Sequence, residues 1–404
     1  MEKFQPEASN LDPDLCNWNV LKTDRKLKKH RIEVWDETLR DGIQQVGVYV
    51  SIEDRVRIAE MLDEIGVLHI DAGLPMVSNY EFEAFKRVNE LGLKAKVNAA
   101  VRTVRDDIDV ALKADAKAVS AFVGSSAPRL KKDFKKSAQD LTDEVSDIIT
   151  YCKEHGLYTI FVTEDTTRAK PEDLKLMYQS AEEAGADMHI LSDTVGSMWP
   201  EGARNLVRFM REEVKLKKPL SWHGHNDLGL GVATTLASIE EGVVVPHTTC
   251  LGFGERSGNV PLEQLVLNLE VRGWEHGIDL KRIQKLAHLV SRAYKIPIPL
   301  NSPVVGENAH RHDSGIHVAG IMSCGEEIYS PYLPGLVGRE IEIVLGKGCG
   351  AANVLFHRPE LEKELALKVA FKIKEISLER GKKGEKAFIL PQELDSVIEE
   401  VRSE

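Results

Sequence analysis

Aromatic residues make up only 6% of the 404-residue chain, too few for a platform on which bases stack. Basic residues are also in deficit. With 53 Lys and Arg against 64 Asp and Glu, the net charge is -11, the wrong sign for a phosphate-backbone partner, and no nucleic acid is expected. An anionic small substrate stays open, because a few local cations can hold one. No run of about 18 apolar residues occurs, so no membrane span is expected. The first 29 residues are polar and lack the apolar core of a secretory signal. Cys16, Cys152, Cys250, Cys324 and Cys349 have no CxxC spacing; an odd, scattered set reads as reduced thiols in a cytoplasmic protein.

What is present is an alternation. From Ile32 onward, short β-branched runs (Ile32–Trp35, Val67–Asp71, Ala95–Ala99, Ala118–Phe122, Tyr158–Val162, Met188–Leu191, Leu220–His223, Val244–Thr248) are each followed by an amphipathic segment of helical period. Pro171 and Pro200 sit at helix starts, where a missing N–H costs least. Eight strand–helix units over this length predict a (β/α)8 TIM barrel. A doubly wound sheet is the competing fold, and the absence of a GxGxxG turn after the first strand counts against it. After about residue 280 the alternation ends, and a charged helical tail spans Leu361–Arg380. The expected organisation is an N-terminal extension (1–30), a barrel (31–278) and a small, mostly helical C-terminal appendage (279–404).

The sharpest local signal is His223-Gly224-His225-Asn226-Asp227, at the end of the seventh strand. Residues two apart on a strand face one side, so both imidazoles can enter the barrel mouth, where barrel enzymes keep their chemistry. Two imidazoles alone hold a metal weakly. Asp41, in Glu37-Thr38-Leu39-Arg40-Asp41-Gly42 after the first strand, can complete the site, because strands one and seven end close together in a closed barrel. The glycines of Gly252-Phe253-Gly254-Glu255-Arg256-Ser257-Gly258-Asn259 permit close backbone approach after strand eight.

These motifs resemble the DRE-TIM metallolyase superfamily and, within it, the isopropylmalate, homocitrate and citramalate synthase group. The ordered matches are Arg40-Asp41-Gly42, Asp71-Ala72-Gly73-Leu74-Pro75, Glu164-Asp165, Asp193-Thr194-Val195-Gly196, the His223 motif and the Gly254–Asn259 loop. Further on, His312-Asp313-Ser314-Gly315-Ile316-His317 and Leu345-Gly346-Lys347 resemble that group's C-terminal subdomains. The resemblance implies a divalent ion (Zn, Mg or Mn) on Asp41, His223 and His225, with Asn259 beside it or ligating. It implies condensation of acetyl-CoA with a 2-oxo acid chelated by that ion. Arg40 would neutralise the growing alkoxide, and Thr194 would hold the acceptor carboxylate. Glu164 and His317 are nominated as bases. Tyr329 is a partner of His317, one residue further away than the family spacing. A domain-swapped homodimer, in which each appendage serves its neighbour's barrel, is implied as well.

Three departures bear on the substrate. The usual Glu after Arg-Asp-Gly is Ile43, with Gln44 retained, and Asp71 replaces a Glu. Where the family often reads Ser-Asp-x-His, this chain has Ser126-Ala127-Pro128-Arg129, exchanging an imidazole for a permanent cation. With Arg102 available at the third strand end, these residues lead to an expected acceptor with a second anionic group, such as 2-oxoglutarate or oxaloacetate. An apolar acceptor is the alternative. So is a lyase like hydroxymethylglutaryl-CoA lyase, although the glycine loop here lacks the cysteine of that relative. The chain ends without room for a leucine-sensing domain, so no feedback through one is expected.

Overall fold

The computed structural model describes residues 29–404; the expected N-terminal extension, apart from its last two residues, and Cys16 lie outside them. Eight parallel strands close a barrel in sequence order. They are β1 (Trp35–Asp36), β2 (His69–Asp71), β3 (Lys96–Arg102), β4 (Ala118–Gly124), β5 (Tyr158–Glu164), β6 (Met188–Asp193), β7 (Leu220–Gly224) and β8 (Val245–Thr248). Around them run α1 (Ile52–Ile65), α2 (Asn79–Asn89), α3 (Arg105–Lys113), α4 (Ala138–Glu154) and α5 (Pro171–Glu183). The ring continues with α6 (Pro200–Glu212), α7 (Gly231–Glu240), α8 (Leu262–Val271) and α9 (Ile283–Tyr294). The fold is a TIM barrel.

Local chemistry sets the helix boundaries. Ser51 accepts a hydrogen bond from Asp54 N (3.1 Å) and starts α1, and Ser137 forms a full capping box with Asp140 at α4. Pro171 and Pro200 open α5 and α6 at the expected positions. Ile58, Leu62 and Ile65 of α1 are fully buried, each contributing about 1.5–3 kcal/mol. Inside the barrel, Trp35 packs with Ile160, Met188, Ile190 and Val245. It also stacks between His69 and His247, with ring centroids at 5.2 and 4.7 Å.

Two boundaries differ from expectation. Regular pairing of β1 begins only at Trp35, because Ile32 N and Glu33 N donate instead to Glu275 O and Val244 O. The compact units divide after Ile298, so α9 stays with the barrel. In the second unit, β9 (Arg311–His312) pairs with β10 (Glu342–Ile343) and β11 (Leu345–Gly346) with β12 (Phe388–Ile389). Its helices are α10 (Gly315–Cys324), α11 (Ala351–His357), α12 (Lys363–Lys382) and α13 (Leu394–Ser403), the last three packed on Leu345, Val354, Ile373 and Val397. Cys152, Cys250, Cys324 and Cys349 are free thiols. Among the described residues no helix is long and apolar enough to cross a membrane.

Glu263 of α8 is fully buried and accepts one bond, from Leu251 N at 3.0 Å. Burial pushes its carboxyl up to about 7. The native state therefore keeps a proton that the unfolded chain releases near its ordinary value of about 4.3. The stability this group contributes is complete below that value and is lost as pH rises through about 7. Urea denaturation of Glu263→Gln between pH 5 and 7 should show a shallower decline than wild type, by about 1 kcal/mol per pH unit.

Candidate metal centre

The turn after β1 folds back on itself, with Arg40 N and Gly42 N both donating to Glu37 O at 3.0 Å. This points Glu37, Arg40 and Asp41 into the barrel mouth. His223 and His225 face the same interior from the end of β7. His223 Nε2 and His225 Nε2 lie 3.8 and 3.7 Å from Asp41 Oδ2 and 3.2 Å from each other. All three residues are buried. Around an ion with bonds of about 2.0–2.2 Å, neighbouring ligand atoms lie about 3.0–3.6 Å apart. The set fits a divalent cation, and two imidazole nitrogens turned on each other at 3.2 Å need one, or a proton, between them.

Asn259 sits on the same carboxylate. Its Nδ2 donates to Asp41 Oδ1 (2.9 Å) and Phe253 O (3.2 Å), while its Oδ1 is buried with no partner. A buried carbonyl oxygen without a donor suits a ligand or a cation. Gly254 makes the arrangement possible. It has φ +155°, and a Cβ there would stand 2.1 Å from Asn259 Nδ2 and 2.8 Å from Asp41 Oδ1.

Behind the ligands lies a layer that the sequence did not single out. Glu37 Oε1 accepts from Arg40 at 2.5 Å and contacts His247 Nδ1 at 2.9 Å. Its Oε2 approaches His223 Nδ1 to 2.7 Å as a charge contact outside hydrogen-bond alignment. His247 Nε2 meets Ser221 Oγ at 2.7 Å. Arg40 also binds Asp41 (2.8 Å) and Asp71 (3.0 Å). The only hint in the sequence was a histidine on the apolar strand β8 and a glutamate three residues before Arg40.

These contacts set the charges. Burial would raise the Asp41 carboxyl, but Arg40, His223 and His225 outweigh it and hold it low. Glu37 is likewise held well below the ordinary range against its burial, by Arg40, His223 and His247. Burial carries Asp71 up to about 7 despite Arg40. Burial, then the neighbouring His223, pushes His225 down to about 4, so it presents a neutral imidazole, the form that ligates metal. Burial alone would lower His223, but Glu37 and Asp41 raise it.

Above the ligands opens a cavity of about 490 Å³. Arg40, Gln44, Arg129, Glu164 and Thr194 all line it, as do Glu255 and Arg256, for which the sequence gave no role. Its walls are Leu74, Ala100, Phe122, Val162 and Ile190, with Ser120 and Ser192. Thr194 Oγ1 accepts from Asp165 N at 2.7 Å, leaving its own proton to donate. Arg129 is already engaged: it bonds Glu164, in a very short contact, and Asp133 at 2.7 Å. Two expected substrate contacts fall elsewhere. Arg102 folds onto Asp107 (2.7 and 2.9 Å) and is not in the lining, and Ser126 is buried beside the strand end rather than facing the cavity. His317 and Tyr329 belong to the second unit, where their rings stack at 4.2 Å.

Residues 31–290 match the family model described as HMGL-like. The homocitrate synthase of Methanopyrus kandleri is 40% identical over 84% of this chain and 86% of its own length. The 2-isopropylmalate synthase of Methanocaldococcus jannaschii is 36% identical over 92% of this chain and 72% of its own. Among solved structures, hydroxymethylglutaryl-CoA lyase from Pseudomonas aeruginosa superposes with a TM-score of 0.59 at 18% identity, covering 65% of this chain and 92% of that one; it supports the fold alone.

Two substitutions probe the centre without removing a ligand. Gly254→Ala should displace Asn259 from Asp41 and weaken Mn or Zn binding by more than about tenfold. Glu37→Gln removes the charge behind His223 and should weaken it about 10–100-fold. Chelator competition on the purified proteins gives both values, and wild-type affinity in both would overturn this account of the site.

Proposed function

The chain belongs to the HMGL-like family and, within the DRE-TIM superfamily, to its homocitrate, isopropylmalate and citramalate synthase group, and from that membership we propose that it joins the acetyl group of acetyl-CoA to the keto carbon of a 2-oxo acid. The observation that carries this reading is the convergence of Asp41, His223 and His225 beside Arg40 on the floor of one cavity. Asp41, His223 and His225 would hold a divalent cation there, which would supply Lewis acidity toward a 2-oxo acid.

The remaining steps fall to the chain's own groups. Arg40, charged at every working pH, faces the keto oxygen as negative charge grows on it. The free proton of Thr194 meets the acceptor carboxylate. A base removes a proton from the thioester methyl, the carbanion bonds to the keto carbon as the C=O π pair moves onto oxygen, that alkoxide takes a proton back from the protonated base, and water then cleaves the thioester to release CoA and a 2-hydroxy diacid. Glu164 is the base candidate within the cavity: Arg129 occupies one of its oxygens, and the other carries no bond among the described residues. His317, stacked on Tyr329, is the second candidate, delivered by the appendage of a partner subunit in a homodimer. Synthesis is favoured over lyase chemistry by Cys250, which lies outside the glycine loop, fully buried, with its thiol held protonated by burial.

The acceptor suits a compact, largely apolar side chain. Arg129 and Arg102 were the two cations available for a second carboxylate, and both are neutralised by acids of this chain. A third lining cation, Arg256, is paired with Asp227, and outside the metal centre the rest of the lining is aliphatic and aromatic apart from Gln44, Glu164, Thr194, Glu255 and two serine hydroxyls. A dianionic acceptor is the second reading, favoured by the homocitrate synthase relative, and it requires Arg129 to leave Glu164.

Thiol release from acetyl-CoA with a panel of 2-oxo acids separates these cases. Turnover should depend on both substrates, be lost in Asp41→Ala, and be at least about tenfold better with 2-oxoisovalerate or pyruvate than with 2-oxoglutarate or oxaloacetate. The reverse order would establish the dianionic reading, and CoA release without any oxo acid would sink synthesis.

A further inference from the structure

The segment after β4 reads Arg129-Leu130-Lys131-Lys132-Asp133-Phe134-Lys135-Lys136, the densest cationic stretch on a barrel whose chain carries a net charge of -11. It is an ordered π-helical turn, Arg129–Phe134, pinned by buried Leu130, whose N–H donates to Ser126 O at 3.0 Å. It is also fixed to the cavity wall. The Arg129 stem lies against the backbone of Gly124 so closely that a Cβ there would be 2.8 Å from Arg129 Cγ. Arg129 itself lines the cavity.

Within the stretch the charges divide. Asp133 and Glu164 consume Arg129, and Glu144 consumes Lys136. Lys131, Lys132 and Lys135 are exposed and have no carboxylate partner among the described residues. The other cations on the strand-to-helix loops of the mouth are all engaged. Arg102 binds Asp107, Arg105 binds Asp147, Arg168 binds Asp165, Lys170 faces Glu172 and Arg256 binds Asp227. Three uncompensated ammonium groups on one loop, with the partly exposed ring of Phe134 among them, form a local positive field at one side of the mouth.

Resting on the acyl-CoA reading above, we propose that this loop docks the nucleotide end of the acyl-CoA. Lys131, Lys132 and Lys135 hold its phosphates, and Phe134 offers a face to its adenine while the thioester enters the cavity past Arg129. Ammonium groups suit phosphates as point charges, and an aromatic ring accepts any base by stacking. The loop thereby contributes affinity for the carrier and nothing to the reacting atoms, which places its effect in binding rather than in the chemical step.

Calorimetric titration of wild type and of the variant Lys131→Ala/Lys132→Ala/Lys135→Ala with CoA and with pantetheine tests this. Wild type should bind CoA more tightly than pantetheine, and added salt should narrow the gap. The triple variant should lose about tenfold in CoA affinity with pantetheine affinity unchanged. Unchanged CoA affinity overturns the proposal, and so does an equal loss for both ligands, which would mean that the loop only supports the fold. Tight, lysine-dependent CoA binding without turnover on any 2-oxo acid would instead leave the docking site standing and reject the acyltransfer reading.

Discussion

One guanidinium holds three buried carboxylates. Arg40 bonds Glu37, Asp41 and Asp71 within 3.0 Å and opposes the burial that favours the neutral form of each. Even so, the cluster stays short of positive charge. Asp71 answers by titrating near 7, and His223 answers by rising toward its protonated form. A doubly charged ion on Asp41, His223 and His225 would satisfy the remainder, and Glu37 stands behind that position, contacting Arg40, His223 and His247 together. The oxyanion partner, the ligand carboxylate and the imidazole orientation all descend from that single cation.

Much of this was legible in the chain. The ends of α1 are legible locally, because Ser51 and Gly66 mark them in chemistry that needs no tertiary context. The strands were legible in number but short at their C-terminal ends. β5 runs to Glu164 and β6 to Asp193, because the residues that carry chemistry at the barrel top are polar and break the apolar pattern that signals a strand. The candidate triad was readable because His223 and His225 stand two residues apart at one strand end and Asp41 is placed by barrel closure. α9 was assigned to the appendage because a ninth helix follows no strand, and only the buried faces of Leu286 and Val290 show that it belongs to the barrel.

Other features depended on pairing across the chain, which no local pattern displays. Arg129 and Arg102 look alike in sequence, yet one lines the cavity and the other folds back on Asp107. Arg129 meets Glu164 from 35 residues away, so a residue that promised a free cation arrives with its charge spent. Glu37 was visible inside a quoted motif, but its contact with His247 spans 210 residues. A lysine whose nearest acids are already taken differs from a paired one only in three dimensions.

The shortest strand of the barrel has a mechanical consequence. β1 contributes only Trp35 and Asp36 to its ladders with β2 and β8, the fewest residues of any strand in the ring. Just above that seam, Asp41 from one edge meets Asn259 from the other, and the two histidines of β7 close in behind them. An ion seated there would be a clasp as well as a reagent: it would tie the turn after the first stave to the end of the seventh, bridging the seam on both sides of the eighth.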